Sequence, residues 1–200
     1  MIARRRIGGN GAGGVTLVEL LIVLAILVGL ATVSVPMTSA AIDAGRVRQA
    51  GRFVESRFRL ARHQAIFGGR SVGVVFDQAG GQWRLRVCVD GNGNGIRRAE
   101  LGGGPDRCID GPHGMDELYP TVAVAVDPAI RGPAGEPGSA DPVRFGRSDL
   151  ISFSPDGSCT PGSLYLRSPQ GNQYAVRVAG VTGRVRLLRY DAPAAVWRDW

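Results

Sequence analysis

A long apolar stretch from Val15 to Val35 constrains this chain more than any other feature of its sequence. Its 21 residues contain one charged side chain, Glu19. At a rise of about 1.5 Å per residue, a helix of this length spans about 30 Å, which is the thickness of the hydrocarbon core of a bilayer. We therefore expect this stretch to cross a membrane once, as a helix.

The residues before this stretch predict its orientation. Arg4, Arg5 and Arg6 form a cationic cluster, and basic residues that flank a membrane helix stay in the cytoplasm. The rest of the chain then lies on the outer side. Without these three arginines the formal net charge falls from +7 to +4, which argues against a general nucleic-acid coat protein. A cleaved secretory signal and a plain uncleaved anchor are the alternatives.

The residues around Glu19 resemble a known processing site. The segment GVTLVE, residues 14–19, is similar to the site at which prepilin peptidase cleaves type IV pilins and the pseudopilins of type II secretion. The resemblance implies cleavage after Gly14, N-methylation of Val15, and assembly roles for Glu19 and Pro36, the fifth and twenty-second residues of the mature chain. Val15 departs from the family, which more often has Phe or Met there.

This processing provides a partner for the carboxylate. A charge at the bilayer centre costs roughly 2.5 to 3.5 kcal/mol, and cleavage leaves a positive α-amine on Val15. Glu19 can pair with that amine on a neighbouring subunit, because ions attract far more strongly in a low dielectric than in water. The alternative is that Glu19 lies at the level of the lipid headgroups and caps its own helix N-terminus.

Beyond Pro36 the helical pattern continues. Apolar residues at spacings of three or four predict a helix face that packs on a core and ends at about Phe67, stopped by Gly68-Gly69. Proline removes one backbone hydrogen bond, so a kink or local melting is expected at Pro36. The predicted core-facing residues are Val47, Ala50, Val54, Phe58, Ala61 and Ala65.

After Gly69 the apolar period changes to two. Short alternating runs separated by Gly, Pro, Asn and Asp predict an antiparallel β domain. The Pro/Gly-rich segment 127–142 has little to bury and is expected to be a long exposed loop. The predicted strands are residues 71–76, 82–89, 121–126, 150–153, 163–166, 174–178 and 184–189.

The order of motifs in this second part resembles the minor pseudopilin family GspH/FimT. The motifs are ARHQAI at residues 61–66, VCVDGNGNG, ISFSPDGS and VTGRVRLLRY. The resemblance implies an α+β, pilin-like fold, in which a long N-terminal helix, membrane-spanning in its first half, packs on an antiparallel β-sheet domain. The expected organisation is a leader at 1–14, a transmembrane half-helix at 15–36, an amphipathic helix at 37–68 and a periplasmic domain at 69–200.

The resemblance implies a minor pseudopilin of a bacterial inner membrane. Prepilin peptidase would cleave it, and it would join other pseudopilins on the inner-membrane assembly platform, in a periplasmic filament for protein secretion or in a type IV pilus. The alternative is a FimT-like minor pilin that binds DNA for natural transformation through Arg184, Arg186 and Arg189. Two or three phosphate contacts give weak, salt-sensitive binding, and a solvated strand face explains the same arginines without DNA.

Catalysis, cofactors and metals are not expected. His63 and His113 have no candidate nucleophile nearby, and no Walker or His-Glu-x-x-His motif occurs. The segment DGNGNG, residues 90–95, matches the opening of an EF-hand calcium loop. However, Arg98 occupies the ninth position and Leu101 the twelfth, where a bidentate Glu belongs. We therefore expect a tight Asn/Gly-rich turn.

Three cysteines in a domain expected outside the inner membrane permit a disulfide. Cys88 and Cys108 flank the Gly/Asn-rich loop, and closing a loop of about 20 residues contributes about 3 kcal/mol in the chain-entropy estimate. This pair is favoured. Cys159 is then free or exchanges with one of them, and three reduced cysteines are the remaining alternative.

Overall fold

The computed structural model describes residues 14–200, without the side chains of residues 33–36. The leader up to residue 13, with its arginine cluster, and the side chain of Pro36 lie outside the described residues. The chain divides into two compact units, one that ends at Ala40 and one from Ala41 to Trp200. The second unit contains the end of the long helix and all strands of the described chain.

A single helix, α1, spans Leu17–Gly68. Thr16 is its N-cap, because Thr16 Oγ1 accepts the backbone N–H of Glu19 at 3.2 Å and satisfies one of the free donors of the first turn. The helix ends where Gly69 adopts a left-handed conformation, with φ of 60°, so the stop expected at Gly68-Gly69 is confirmed. The backbone is helical at residue 36, and the local melting expected there is absent.

The described part of the first unit is apolar on every side of the helix. The large apolar side chains from Val15 to Leu30 are each at least half exposed. By length and composition α1 is able to cross a membrane. A helix that exposes this much apolar surface is suited to lipid rather than to water.

The second unit begins with the amphipathic part of α1. The six residues that the sequence predicts to face the core lie along one side of the helix, and the structure confirms them. Arginines such as Arg46, Arg48 and Arg52 are exposed on other sides. The six core-facing residues, all at 0 % exposure, are Val47, Ala50, Val54, Phe58, Ala61 and Ala65.

Nine antiparallel strands follow α1 in the described chain and form two sheets. The strands are β1 (Val72–Ala79), β2 (Gln82–Val89), β3 (Arg107–Gly114), β4 (Val143–Arg144), β5 (Leu150–Phe153), β6 (Gly162–Arg167), β7 (Gln173–Val178), β8 (Val185–Asp191) and β9 (Val196–Asp199). The first sheet has the order β3-β2-β1-β5 and the second β4-β6-β7-β8-β9. A short 3-10 turn, Arg98–Glu100, precedes β3, and a short helix, α2 (Met115–Leu118), follows it.

One hydrophobic core joins the buried side of α1 to residues of both sheets. Its centre is an aromatic group around Phe58, whose ring centroid lies 6.1 Å from that of Phe76, 5.7 Å from Phe145 and 6.5 Å from Phe153. These rings come from α1, β1, β5 and the segment after β4, so the group holds helix and sheet together. The expected α+β, pilin-like arrangement of a long N-terminal helix on antiparallel sheets is confirmed.

The strand predictions need two corrections. Residues 121–126 form no strand: Ala123 makes one isolated bridge to Arg167, and Thr121 has a φ of 88°, which interrupts an extended chain. Conversely, β3, β4 and β9 are strands that the apolar alternation does not predict. β3 reads RCIDGPHG, and it lacks a regular alternation because it is an edge strand with two register irregularities against β2.

The Pro/Gly-rich segment 127–142 is mostly exposed, but it is fastened to the protein. Trp197 Nε1 donates to the carbonyl of Arg131 at 2.8 Å, and Arg177 Nη1 pairs with Glu136 at 3.0 Å. Val126, the residue directly before the segment, belongs to an apolar cluster with Tyr165, Ala175 and Leu188. The expected exposed loop is therefore present, and the structure adds the contacts that hold it to the second sheet.

Candidate assembly site

Glu19 lies in the first turn of α1, in an apolar surface. From Leu20 to Ile42 the chain has no charged residue, and the neighbouring Leu17, Val18 and Leu20 are exposed. The Glu19 carboxylate accepts no hydrogen bond from the described residues. Thr16 and Glu19 have the Thr-x-x-Glu spacing of a capping box, and the structure contains the half in which Thr16 is the acceptor. The carboxylate itself stays available to another molecule.

The residues expected at the cleavage site lie directly before this turn. Gly14 is in irregular backbone, and Val15 is 68 % exposed. A Cβ built on Gly14 would meet no atom within 4 Å. An irregular, open segment is what a peptidase needs in order to bind the chain in an extended form. The side chain of Pro36, also expected to act in assembly, lies outside the described part.

The DGNGNG segment forms a turn closed by its own acids. Asp90 accepts the backbone N–H groups of Asn92, Gly93 and Gly95 at 3.0, 2.7 and 2.7 Å. Burial raises the pKa of Asp90, but these N–H groups outweigh it and the net pKa lies below the usual value. Asp90 is 2 % exposed, and its oxygens already accept three backbone N–H groups. Its carboxylate therefore stabilises the turn and is not free to bind a cation.

Glu100 and Arg98, at the end of this turn, also have partners within the protein. Glu100 accepts the side-chain N–H groups of Asn92 and Asn94 at 2.8 and 2.9 Å. Arg98, which occupies the ninth position of the EF-hand pattern, pairs with Asp77 at 2.6 Å and also donates to the carbonyls of Phe76 and Ser148. No group of three His, Cys, Asp or Glu side chains suited to a metal occurs in residues 14–200. This arrangement favours the tight turn.

Cys88 and Cys108 form a disulfide, the pairing that the sequence favours. The two residues are direct partners in the register of β2 and β3, so the bond joins an edge strand to its neighbour. Cys88 belongs to a small apolar cluster with Val75, Ile96 and Leu150, separate from the main core. The disulfide thus fastens the edge of the first sheet beside the DGNGNG turn.

Cys159 is a free thiol and lies elsewhere. It packs against the main core, and burial raises its pKa to about 11, although Arg62 lowers it. From Cys88 the register runs through Gly73 to Ser152, and Ser152 contacts the residue after Cys159. Three strand spacings of about 4.8 Å separate the backbones at Cys88 and Cys159 by about 14 Å. The free cysteine and the disulfide thus lie on strands that are not neighbours.

The three arginines of the DNA alternative do not share one face. Arg186 pairs with Asp199 on β9 at 3.4 Å. The guanidinium of Arg189 lies 5.5 Å from the ring centre of Trp200, and its odd separation from Arg186 puts it on the opposite face of β8. Arg184 is exposed and precedes β8. The structure thus gives Arg186 and Arg189 different partners and leaves Arg184 exposed.

The residues that surround Arg184 in the structure were not predicted from the sequence. A cleft of about 420 Å³ is lined by Arg184, Arg59 and Arg62. Arg62 Nε donates to the carbonyl of Gly157 at 3.1 Å, and Gly183 is left-handed, with a φ of 59°; a Cβ there would collide with the same carbonyl. The motifs around residues 61–66, 154–158 and 183–186 meet at this point. The sequence contains the three motifs, but it carries no signal that they meet.

Both histidines have structural partners. The ring of His63 lies 4.1 Å from that of Phe67 on the same helix. His113 Nε2 lies 3.0 Å from Asp110, whose other oxygen accepts Arg57 at 2.6 Å. Burial raises the pKa of Asp110, but His113 and Arg57 lower it to a net value below the usual one. This group connects α1 to β3, and no nucleophile accompanies it.

Comparison with known proteins shows the family to which the chain is similar. The family model described as "Type II transport protein GspH" matches residues 50–183, about two thirds of the chain. The matched region begins within the buried side of α1 and ends at Gly183, before β8. No curated protein and no solved structure matches the chain significantly. Since the matched region contains the core of the second unit, the chain belongs to the GspH family of type II transport proteins.

Proposed function

We propose that this protein is a minor pseudopilin of a type II secretion system, which prepilin peptidase cleaves after Gly14 and which then assembles through Glu19. Membership of the GspH family supports the secretion role. The apolar first part of α1 is consistent with an anchor in the bacterial inner membrane and a periplasmic β domain. The observation that carries the proposal is a carboxylate without a described partner, at the start of a charge-free apolar helix.

The assembly step follows from the cost of an unpaired charge. Cleavage creates an α-amine on Val15, and in a filament that amine on one subunit lies beside Glu19 of the next. Subunits that stop at any other axial position leave both charges unpaired in a medium of low dielectric constant. The pair therefore selects one register between neighbouring pseudopilins. Other pseudopilins, prepilin peptidase and the inner-membrane assembly platform are the partners of this step.

The mature N-terminus tests the proposal. We expect protein purified from its native membrane to begin at Val15 and to carry a methyl group on the α-amine, both measured by mass spectrometry of the intact chain. The same protein from a strain without prepilin peptidase should begin at Met1. A chain that begins at Met1 in the unmodified strain contradicts the proposal, because the amine that Glu19 requires never forms.

One observation favours a second function, DNA capture by a FimT-like minor pilin. Arg184 opens onto the cleft that Arg59 and Arg62 also line, so three guanidinium groups converge at one end of the β domain. Their partners leave part of this charge free: Arg59 pairs with Glu55 and Arg62 bonds a carbonyl, whereas Arg184 has no ion pair in residues 14–200. Two or three phosphate contacts give weak binding.

Salt dependence tests this second function. If the cleft binds DNA, the affinity of the detergent-solubilised protein falls with salt at a log–log slope of about 2, and Arg59→Gln with Arg184→Gln removes the binding. The matched control is Arg70→Gln with Arg107→Gln, which removes two other exposed arginines. The absence of binding at low salt, or equal loss in the control pair, rejects DNA capture by this cleft.

A further inference from the structure

In the second unit, the exposed ring of Trp200 lies between two arginines, one on the first part of α1 within that unit and one on β8. The Trp200 side chain is 49 % exposed. The guanidinium of Arg48, on α1, lies 5.8 Å from the centre of its ring, and that of Arg189, on β8, lies 5.5 Å away. The edge of the Tyr174 ring packs nearby, with 6.2 Å between ring centroids. Arg48, Arg189 and Trp200 are here named the Trp200 surface.

The Trp200 surface has an excess of positive charge. The acids on the adjacent strands have their own arginines, since Asp191 pairs with Arg198 at 2.8 Å and Asp199 with Arg186 at 3.4 Å. The carboxylate of Asp43 is buried and accepts hydrogen bonds from Ser168 and Asn172. Arg48 and Arg189 themselves form no ion pair with any residue in the described chain. Both charges are therefore available to an external anion.

A cleft beside the Trp200 surface has room for such a group. It has a volume of about 520 Å³ and lies between the turn Gln170–Asn172 and the residues around Pro193, with Arg189 and Trp200 in its wall. On α1, a Cβ built on Gly45, about one turn before Arg48, would meet no atom within 4 Å. No side chain of the described residues therefore packs on α1 at Gly45.

The sequence places Arg48 close to the bilayer. The charge-free stretch Leu20–Ile42 has 23 residues, about 34 Å as a helix. This matches a hydrocarbon core of about 30 Å in a bilayer of about 40 to 45 Å with its headgroups. Arg48 follows Ile42 by six residues, about 9 Å of helix, and an arginine side chain spans much of that distance. Arg48 is thus among the first charged residues after the apolar stretch, at the place in the sequence where a membrane helix passes from the hydrocarbon core to the headgroups.

We propose that the Trp200 surface binds the headgroups of anionic phospholipids in the membrane that anchors the chain. This inference rests on the membrane anchor of the proposed function. Tryptophan is enriched at the level of the headgroups because its ring is apolar and its N–H is polar, and arginines beside it attract lipid phosphate. A neighbouring protein subunit could also cover this surface, but the closeness of Arg48 to the bilayer favours lipid.

The test measures fluorescence quenching of Trp200 in the full chain, incorporated into lipid nanodiscs that carry a spin label on the headgroup. The fluorescence of Trp200 is obtained by subtracting the fluorescence of Trp200→Phe from that of the natural protein. The subtraction removes the contribution of Trp83 and Trp197. Discs of phosphatidylcholine alone are compared with discs that also contain phosphatidylglycerol. We expect quenching in the anionic discs, little in the neutral discs, and its loss at high salt, which screens the charges.

Substitutions test whether lipid binding depends on Arg48 and Arg189 themselves or only on the net charge of the domain. Arg48→Gln with Arg189→Gln should lower the ratio of lipid-bound to unbound Trp200 surface roughly 25-fold, about fivefold per arginine. Arg70→Gln with Arg107→Gln removes the same charge elsewhere and should leave quenching unchanged. The inference is overturned by equal quenching in both lipids, by none in either, or by equal loss in the control pair. A chain that does not enter the discs instead contradicts the membrane anchor.

Discussion

Replacing Glu19 with Ala is expected to leave membrane insertion intact and to reduce crosslinking to neighbouring pseudopilins at least about a hundredfold. Insertion persists because removal of a charge from an apolar helix makes its transfer to lipid easier. Crosslinking falls because the α-amine of the neighbouring subunit then lacks its counter-ion. Carbonate extraction measures insertion, and a photoreactive residue at the exposed Leu24 measures contact between subunits in cells.

Two further variants distinguish ion pairing from helix capping. Glu19→Asp keeps the charge and should retain part of the crosslinking, whereas the neutral Glu19→Gln should lose it. Thr16→Val removes the observed N-cap, since Thr16 Oγ1 accepts the Glu19 backbone N–H, but it leaves the carboxylate in place. Crosslinking should survive this change. If Thr16→Val abolishes crosslinking as fully as Glu19→Ala, the carboxylate acts through the helix terminus and the ion-pair mechanism is wrong.

Replacing Phe58 with Ala is expected to destabilise the second unit by about 3 to 5 kcal/mol. The Phe58 side chain is fully buried, and it contacts aromatic rings of β1, β5 and the segment after β4. Its loss leaves a cavity that three rings on different elements cannot collapse to fill. For a unit of this size the melting temperature should fall by roughly 10 °C, measured by near-ultraviolet circular dichroism of the full chain in detergent.

Phe67 provides the matched control on the same helix. It lies 76 % exposed near the end of α1 and stacks on His63, so Phe67→Ala removes an equal side chain without opening a cavity. We expect a change within about 0.5 kcal/mol. A similar loss of stability in both variants would mean that the buried contacts of Phe58 do not account for its effect, because alanine has a higher helix propensity than phenylalanine and propensity cannot destabilise either variant.

The elements predicted well are those whose signal is local. The six buried residues of α1 follow a period that neighbouring turns of one helix define, and β2 and β5 were predicted with the bounds Gln82–Val89 and Leu150–Phe153 that the structure has. β3 has no such period. Its place depends on pairing with β2 and on the contact of Asp110 with Arg57 of α1, 53 residues away in sequence.

The candidate sites divide in the same way. Gly14, Val15 and Glu19 are predicted as cleavage and assembly residues from a resemblance carried by six consecutive residues, so no distant contact is needed to recognise them, and their roles stay a prediction. The arginines of the DNA alternative were predicted without their partners. The structure shows Arg186 with Asp199 and Arg189 with Trp200, and these contacts depend on β9 folding back against β8.

The periodicity of the sequence was sufficient to predict the apolar first part of α1, the buried side of α1, and the change from helix to strands after Gly69. Each of these follows from which residues recur every two, three or four positions, and that information needs no distant contact. The partners of the charged side chains, in contrast, are known only from the folded chain. Arg62 meets the carbonyl of Gly157, 95 residues later, and Arg48 meets the ring of Trp200. Such partners become neighbours only when the core closes and brings both sheets against the helix.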